Sequence, residues 1–403
     1  MTIFGFIQLL WLVAISRASD PEDNMSVAQI IAHHGYPVER HFVKTADGYI
    51  NEVQRIPHGR DDRNVRPCAK RPVVYCMHGL FSSGAQFVMN LPSQSTAFVM
   101  ADAGFDVWIG NLRGTEYGMN HTTLSIFSQH FWNFSLYDHS HHDLKSQVEY
   151  ILNVTDQPSL FYIGHSQGTT VMFMRLAEAD AQWQKKIRTF YGLAPSAGFK
   201  TPFYPFVLLE IPAIQDIIQF ALDGKLGIFP IFLPKPFQVA LSKLCAIPGV
   251  NQICGLILSA SDGIERLGQV NTTRLPLFLR HFPSRTSTLN LLHWTQAFKY
   301  HGLRHLDLGR ERNMRLYGKP EAPSFDLSNI VTPTILYYSS DDNIADARDA
   351  VEVILKRMGP GLKQSIKIDH FSHLDYAIGL RATDAIYKPI VYSMYEDINK
   401  NGC

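Results

Sequence analysis

The stretch Ser159-Leu-Phe-Tyr-Ile-Gly164-His165-Ser166-Gln167-Gly168-Thr-Thr-Val-Met-Phe-Met-Arg-Leu176 decides the fold. A short apolar run precedes a serine flanked by two glycines, and a helix-compatible segment follows, which predicts a strand, a tight turn and a helix. A serine on such a turn has a strained backbone, tolerated only where the residues two before and two after carry almost no side chain. Gly164 and Gly168 satisfy this condition. The pattern therefore predicts a nucleophilic hydroxyl at the carboxyl end of a strand.

Apolar runs elsewhere predict further strands, buried on both faces of a mostly parallel sheet. They begin at residues 72, 105, 189, 333 and 365, and a hairpin formed by residues 41–44 and 49–56 turns at Asp47-Gly48. Helix-compatible segments at 143–152, 345–358 and 382–399 alternate with these strands. The alternation predicts an α/β fold with a mostly parallel central sheet and helices on both faces.

Residues 200–296 interrupt the alternation with a segment rich in Phe, Leu, Ile and Pro, with helical patches at 211–222 and 237–244. We interpret it as a mainly helical cap or lid, delimited as 200–310, inserted between core parts 20–199 and 311–403. Its large apolar side chains are too numerous for a peripheral insertion, so one face is expected to line an acyl-chain pocket or meet a lipid surface. Ordinary core packing is the alternative.

The N-terminus has the layout of a secretory signal peptide, residues 1–19, with cleavage expected near Ala18 or Ser19. Its apolar run is too short for a membrane anchor, and no later segment is expected to span a bilayer. A net charge of +1 over 403 residues gives no electrostatic reason to expect a nucleic acid partner. Five sequons are candidate N-glycosylation sites in a lumenal protein: Asn24, Asn120, Asn133, Asn153 and Asn271.

Five cysteines leave at least one thiol free or paired outside the chain: Cys68, Cys76, Cys245, Cys254 and Cys403. Cys245 and Cys254 are the closest two within a loop-like stretch, which makes them the favoured disulfide. Cys76 lies in an apolar strand and is expected to be a buried free thiol.

The partners of the serine are open on residue pattern alone. Asp341 and Asp342 follow the strand that begins at 333, where a hydrolase needs a carboxylate to orient its histidine, although either could instead cap the next helix. His370 and His373 both follow the last strand, and spacing favours His373 without excluding His370. The chain order Ser, Asp, His is characteristic of α/β-hydrolases.

Other histidines and glycines in the sequence have competing interpretations. After His78, the backbone amides at Gly79-Leu80 could face the oxygen of a tetrahedral intermediate, or this could be a plain strand-to-loop turn. His78 precedes the nucleophile and is predicted to be a hydrogen-bonding loop residue. A cluster of His139, His141 and His142 lacks a Cys or carboxylate pattern at ligand spacing and is expected to be a solvated helix start, not a metal site.

The motifs together resemble the animal acid lipases, the group of gastric lipase, lysosomal acid lipase and their insect relatives. The match covers nearly the whole mature chain through Gly35-Tyr-Pro, Thr45-Ala-Asp-Gly-Tyr-Ile, His78-Gly-Leu, Asn111-Leu-Arg-Gly, Gly164-His-Ser-Gln-Gly, His293-Trp-x-Gln, Asp342-Asn-Ile-Ala-Asp and Ser372-His-Leu-Asp. By this resemblance Ser166 is the nucleophile, Asp342 the orienting acid and His373 the base. The backbone amides of Leu80 and Gln167 would form the oxyanion hole.

The resemblance also implies the α/β-hydrolase fold, a cap disulfide between Cys245 and Cys254, and chemistry without a metal or organic cofactor. Three positions depart from the family pattern: Lys145 stands where proline is usual, His139 where an acidic residue is usual, and Arg285 where glycine is common. None belongs to the triad, so they concern cap contacts, pH optimum and substrate preference.

The implied protein is secreted or lysosomal and hydrolyses carboxylic esters of apolar lipids, triacylglycerol first among them, at an oil–water or membrane interface. A sterol-ester or short-chain esterase of the same fold is the first alternative. A lipid-binding protein without turnover is the second, and the intact set of Ser166, Asp342 and His373 argues against it.

Overall fold

A computed structural model describes residues 21–61, 68–198, 220, 230–262 and 269–403. The predicted signal peptide lies outside these residues, and so does the predicted helical patch 211–222 apart from Phe220. The domain boundaries at 200 and 310 stay predictions.

Nine strands of the described residues form one sheet, in the order β1-β2-β4-β3-β6-β7-β10-β11 with β5 beside β2. All eleven strands of the described residues, including two outside this sheet, are β1 Glu39–Lys44, β2 Tyr49–Ile56, β3 Val73–Met77, β4 Asp106–Ile109, β5 Asn120–His121, β6 Leu160–His165, β7 Ile187–Leu193, β8 Pro230–Ile231, β9 Thr286–Ser287, β10 Thr334–Tyr338 and β11 Leu362–Lys367. Neighbours from β4 to β11 run parallel, whereas β1 and β2 form the predicted antiparallel hairpin. The short strands β8 and β9 pair separately.

Helices connect the strands and cover the sheet. The α-helices of the described residues are α1 Val27–His33, α2 Thr96–Asp102, α3 Leu136–Asp138, α4 Lys145–Thr155, α5 Gln167–Glu178, α6 Ala181–Gln184, α7 Lys235–Cys245, α8 Val250–Asp262, α9 Leu275–His281, α10 Thr288–Lys299, α11 Arg310–Tyr317, α12 Ala347–Asp349, α13 Asp375–Ile378 and α14 Lys388–Asn401. Three π-helical segments, His139–Leu144, Ala350–Leu355 and Thr383–Tyr387, lead into or continue these helices. The predicted α/β-hydrolase architecture, with a mostly parallel sheet and flanking helices, is confirmed.

The central strands are buried on both faces, as their continuous apolar sequence predicts. Alternate residues of β3 belong to different cores: Val74 and Cys76 pack on one side of the sheet, and Val73, Tyr75 and Met77 on the other. This alternation is the two-residue period of a strand with helices on both faces. Cys76 is a buried free thiol, as expected.

One local prediction is wrong. The segment that starts at His139 is not a solvated helix start, because His139 is 2% exposed and its ring lies 5.2 Å from that of Phe134. The chain enters α4 through the π-helical turn His139–Leu144, which packs against α5. A π-helical turn shifts the residues that face inward, and a 3.6-residue period does not anticipate this shift.

Two disulfides are present in the described residues. Cys245 and Cys254 are bonded, which joins the end of α7 to α8. The bond between Cys68 and Cys403 joins residues 335 apart in sequence, and local spacing carries no signal for it. No helix of the described residues is both long enough and apolar enough to span a bilayer.

Candidate active site

Ser166 stands on the predicted turn between β6 and α5, with φ 52° and ψ −118°. Such a backbone is strained for any residue with a side chain, and strain of this kind is typical of functional positions. The turn is also crowded. A Cβ added at Gly168 would lie 2.3 Å from the carbonyl oxygen of Met77, and one at Gly164 would lie 2.8 Å from the backbone of Gly168. Only glycine fits at either position.

His373 and Asp342 reach this serine from the ends of two other strands. The Ser166 hydroxyl oxygen lies 2.8 Å from His373 Nε2, and His373 Nδ1 lies 2.9 Å from Asp342 Oδ2. Asp342 Oδ1 also accepts the backbone N–H of Ile344 and of Ala345. All three side chains are buried. The arrangement is a serine whose proton can pass to an imidazole oriented by a fixed carboxylate.

The competing pair, Asp341 and His370, lies at the surface instead. His370 Nδ1 is 3.0 Å from Asp341 Oδ2, and the His370 side chain is 48% exposed. The two aspartates and the two histidines therefore form two separate acid–histidine pairs. Only the pair of Asp342 and His373 reaches Ser166.

The loop after β3 passes directly beside the serine. A Cβ added at Gly79 would lie 3.1 Å from Ser166 Cβ, and the next residue is Leu80. Within the described part of the chain, no protein acceptor takes the backbone N–H of Leu80 or of Gln167. The loop is held by Ser284, whose N–H donates to the carbonyl of Phe81 at 2.6 Å. The predicted oxyanion donors therefore lie on the two segments that flank Ser166.

Two buried histidines support these segments without reaching the reacting atoms. His165 Nε2 donates to the backbone carbonyl of His373 at 2.9 Å, which joins the serine strand to the histidine loop. His78 Nδ1 donates to the carbonyl of Gly79, and its Nε2 accepts the N–H of Leu112. Burial lowers the pKa of His165 to about 3 and that of His78 to about 4, so both rings are neutral. The predicted loop role of His78 agrees with these contacts.

A pocket of about 330 Å³ opens at the serine. Its walls are mostly large apolar side chains from the loop after β3, from helices α8, α9 and α10, and from the region around His373. They include Leu80, Phe81, Met89, Leu258, Phe278, Leu279, Phe282, Trp294, Phe298, Ile344, Leu374 and Ile378. Such a cavity suits a hydrocarbon chain better than a polar ligand.

One group of three potential metal ligands occurs among the described residues: Asp47, Asp138 and His142. The carboxylate of Asp47 is already bound by both terminal nitrogens of Arg113. The carboxylate of Asp138 caps the N-terminus of α3 by accepting the N–H of Ser135. These oxygens are engaged in structural contacts, so the group does not form a vacant set of ligands.

Comparison with known proteins shows the family of this chain. Two family models match, a partial alpha/beta-hydrolase lipase region at residues 27–91 and the alpha/beta hydrolase fold at residues 72–379. The chain is 38% identical to lipase lipl-1 of Caenorhabditis elegans, with 94% of each chain covered. It is 35% identical to gastric triacylglycerol lipase of Bos taurus, again with 94% of each chain covered. The chain belongs to the acid lipase family.

Among solved structures, a soluble variant of the monoglyceride lipase of Saccharomyces cerevisiae has a TM-score of 0.52 at 15% identity. The likeness covers 90% of this chain and 95% of the other, and it supports the fold alone.

Some site residues of this acid lipase were not found by sequence reasoning. The carboxamide of Gln167 is held by Asn290 and Trp294 from α10, and His165 tethers the histidine loop. His165 and Trp294 lie within motifs shared with the acid lipases, and these motifs were the sequence signal that could have identified them as site residues. Of the family departures, His139 has its Nδ1 3.4 Å from Gln167 Nε2, and Arg285 lies over the ring of Phe232. Nothing in the structure explains Lys145.

Proposed function

We propose that this acid lipase hydrolyses carboxylic esters of apolar lipids, triacylglycerol foremost, through an acyl-enzyme on Ser166. The observation that carries the proposal is the chain of contacts from Asp342 to His373 to Ser166 at the mouth of an apolar pocket. A nucleophile with its base and an oriented carboxylate supports covalent acyl transfer. The apolar walls favour an acyl chain as the group that is bound.

In the proposed acylation step, the Ser166 oxygen attacks the ester carbonyl carbon while His373 Nε2 takes the hydroxyl proton. The carbonyl oxygen becomes an oxyanion, and the backbone N–H groups of Leu80 and Gln167 stabilise it by donating hydrogen bonds. His373 then gives the proton to the alkoxide oxygen of the leaving alcohol as the carbon–oxygen bond breaks. The buried Asp342 stabilises the imidazolium that exists between these transfers.

In the proposed deacylation step, water replaces the alcohol. His373 removes a proton from this water, and the hydroxide attacks the acyl carbon bound to Ser166. The bond to Ser166 breaks, the serine recovers its proton from His373, and the fatty acid leaves. Apart from the ester and the water, each step uses only side chains and backbone groups of this chain.

We further propose that α7 and α8 carry the enzyme onto the lipid surface. Five large apolar side chains on the described parts of these helices are exposed: Phe237, Leu244, Ile253, Leu256 and Ile257, the last at 66%. Leu258, next to Ile257, lines the pocket. A helix with one face toward the pocket and another exposed apolar face suits contact with an oil–water or membrane interface.

The proposed location is the secretory route, either outside the cell or in the lysosomal lumen. Two disulfides support an oxidising compartment, since cytosolic proteins rarely keep such bonds. Among the sequons, Asn24, Asn120, Asn133 and Asn153 are exposed, and Asn271 is partly buried. The side-chain oxygen of Asn24 accepts a hydrogen bond from Arg280, and the amide nitrogen of Asn271 donates to Gln94. Asn120, Asn133 and Asn153 are therefore the better glycan acceptors.

The test is a panel of esters assayed with variants of the two acid–histidine pairs. Ser166→Ala, Asp342→Asn and His373→Ala are expected to lower kcat by about 10³-fold or more, because each removes a member of one proton-transfer chain. A fluorophosphonate probe should label the native enzyme and fail to label Ser166→Ala. The panel, from triacylglycerol emulsions to sterol esters and short-chain esters, identifies the preferred substrate.

His370→Ala and Asp341→Asn are the matched controls, since the same residue types are changed in the surface pair. Both are expected to keep kcat within about twofold of the native value. A His370→Ala variant as inactive as His373→Ala would contradict the assignment. Labelling that persists in Ser166→Ala would show that Ser166 is not the nucleophile. A preference for sterol esters would show that triacylglycerol is not the main substrate.

A further inference from the structure

We propose that Trp294 and Asn290, on helix α10, are positioning residues that hold the side chain of Gln167 and so fix its backbone N–H as an oxyanion donor. This inference rests on the proposed function, because it assumes that the N–H of Gln167 contacts the developing oxyanion. Neither residue is proposed to touch the reacting atoms.

Two hydrogen bonds carry the inference. The indole Nε1–H of Trp294 donates to Gln167 Oε1 at 2.8 Å, and Nδ2 of Asn290 donates to the same oxygen at 3.1 Å. Gln167 is 2% exposed, so its carboxamide depends on protein partners. Both lone pairs of one oxygen are used, and this fixes which end of the amide is the oxygen.

Asn290 is itself fixed at the start of α10, the helix that also carries Trp294. Asn290 Nδ2 also donates to Thr286 Oγ1 at 2.9 Å. Ser287 caps the helix by accepting the N–H of Asn290, and its own hydroxyl donates to the carbonyl of Phe134. The helix start is therefore bonded to the segment before α3, which belongs to the predicted core. Gln167 is held by a support that does not depend on substrate.

Holding the side chain constrains the amide that matters. Gln167 is the first residue of α5 and directly follows Ser166, whose backbone is strained. The orientation of the Gln167 N–H is set by rotations on either side of the peptide bond that joins these two residues. An anchored Gln167 side chain fixes the direction of its Cα–Cβ bond and opposes relaxation of that peptide. Oxyanion stabilisation needs such preorganisation, since donors must already point at the developing charge.

Trp294 also lies in the wall of the substrate pocket. Its ring lines the pocket in which Ser166 and His373 also lie. The residue that would contact the acyl chain thus also holds the residue that supplies the oxyanion donor. Asn290 does not line this pocket among the described residues, so it separates the two roles.

The test compares variants on a soluble ester, p-nitrophenyl butyrate, with the full-length enzyme. Asn290→Leu removes one donor outside the pocket and is expected to lower kcat by about tenfold with KM within about twofold, a fraction of the loss seen when an oxyanion donor is removed outright. Trp294→Phe removes the other donor and keeps an aromatic wall. The rate of inactivation by a fluorophosphonate should fall in parallel with kcat/KM.

A double-mutant cycle identifies the route of the effect. Gln167→Met keeps the length of the side chain and removes its hydrogen bonds, so it should lower kcat by itself. In that background Asn290→Leu and Trp294→Phe should add little, because their effect passes through the missing carboxamide. Additive losses would overturn the inference, as would native kcat in Asn290→Leu. If Asn290→Leu does not fold, the double-mutant cycle of Trp294→Phe with Gln167→Met tests the inference by itself.

Phe298→Leu is the matched control, because Phe298 lies on the same helix and lines the pocket, and its side chain has no group that could hydrogen-bond to the carboxamide of Gln167. It should change KM and chain-length preference more than kcat. The proposed function is tested separately by the loss of turnover in Ser166→Ala. An enzyme that depends on Ser166 but tolerates Asn290→Leu retains the function and refutes only the positioning role.

Discussion

Gly168 shows how one hydrogen atom in place of a side chain permits the site. A Cβ there would lie 2.3 Å from the carbonyl oxygen of Met77. Neither atom could move away by a side-chain rotation, because the Cβ is attached directly to the backbone and the oxygen belongs to it. We expect Gly168→Ala to lose about 3 kcal/mol of unfolding free energy or more, because neither segment can move without shifting β3 or α5. Urea denaturation measures the loss, and kcat should fall with it.

Gly249→Ala is the control for a general effect of replacing glycine. Gly249 has a φ of +85°, but no atom lies within 4 Å of an added Cβ. Its cost should be about 1 kcal/mol, the price of a left-handed backbone alone. Equal losses at the two positions would show that the contact with Met77 does not matter.

Residue pattern alone predicted the serine but not its partners. The Gly-x-Ser-x-Gly spacing follows from a steric condition that any sequence must meet, so Ser166 could be read directly. Asp341 and Asp342 are adjacent and chemically identical, and only the direction of each side chain separates them. That direction depends on the loop after β10, and here the surface pair of Asp341 and His370 resembles the buried pair. Family resemblance supplied the choice that local chemistry did not.

Helix α8 joins the pocket to the surface. Leu258 lines the pocket, while Ile253 and Ile257 are 55% and 66% exposed on the same helix. We expect a variant with Ile253→Ser and Ile257→Ser to lose about tenfold in rate on a triacylglycerol emulsion, because less apolar surface is available for adsorption. The rate on a soluble short-chain ester should stay within about twofold.

Leu316→Ser is the control for exposed apolar residues in general. Leu316 is exposed on α11, and no residue of α11 lines the pocket among the described residues. Its emulsion rate should match that of the native enzyme. An equal loss in the control, or a loss on the soluble ester in the α8 variant, would refute the role of α8 in adsorption.

Helices and strands could be predicted where a single hydrophobic period runs along the segment. Features that depend on contact between segments distant in sequence could not. The strands β3, β6 and β10 are continuous apolar runs between turns, so burial on both faces followed from composition. The π-helical turn His139–Leu144 breaks the helical period and buries His139, which the sequence alone did not indicate. The bond from Cys68 to Cys403 depends on where the C-terminal helix α14 packs, and no local pattern encodes that.

For the whole molecule, buried neutral histidines link stability to pH. Burial lowers the pKa of His139 and His165 to about 3, and that of His78 and His293 to about 4. An unfolded histidine has a pKa near 6.5, so below that pH the unfolded chain binds more protons than the folded chain. The stability these residues contribute is complete above about pH 6.5 and is lost as the pH falls toward 4. Burial opposes ionisation of Asp47 and Glu178, but Arg113 beside Asp47, and His141 and His305 beside Glu178, lower the pKa of both carboxyls to about 2. The stability that these carboxylates contribute is lost only below about pH 4.

His293 offers a way to isolate one of these contributions. Its Nε2 donates to the carbonyl of Arg304 at 2.7 Å, and it lies outside the proposed triad. Burial also raises the pKa of Asp143, which changes stability with pH in the opposite direction. The pH dependence of the native protein alone therefore mixes the contributions of histidines and carboxyls.

The test compares His293→Gln with the native enzyme by urea denaturation between about pH 7 and pH 4.5. The native protein should lose about 2 kcal/mol more than the variant over this range, because only the native side chain is driven to take up a proton on unfolding. His130→Gln, at an exposed histidine, is the control for replacing a histidine with glutamine. If His293→Gln and the native enzyme follow parallel curves, His293 is not held neutral by the fold and contributes nothing to the loss of stability in acid.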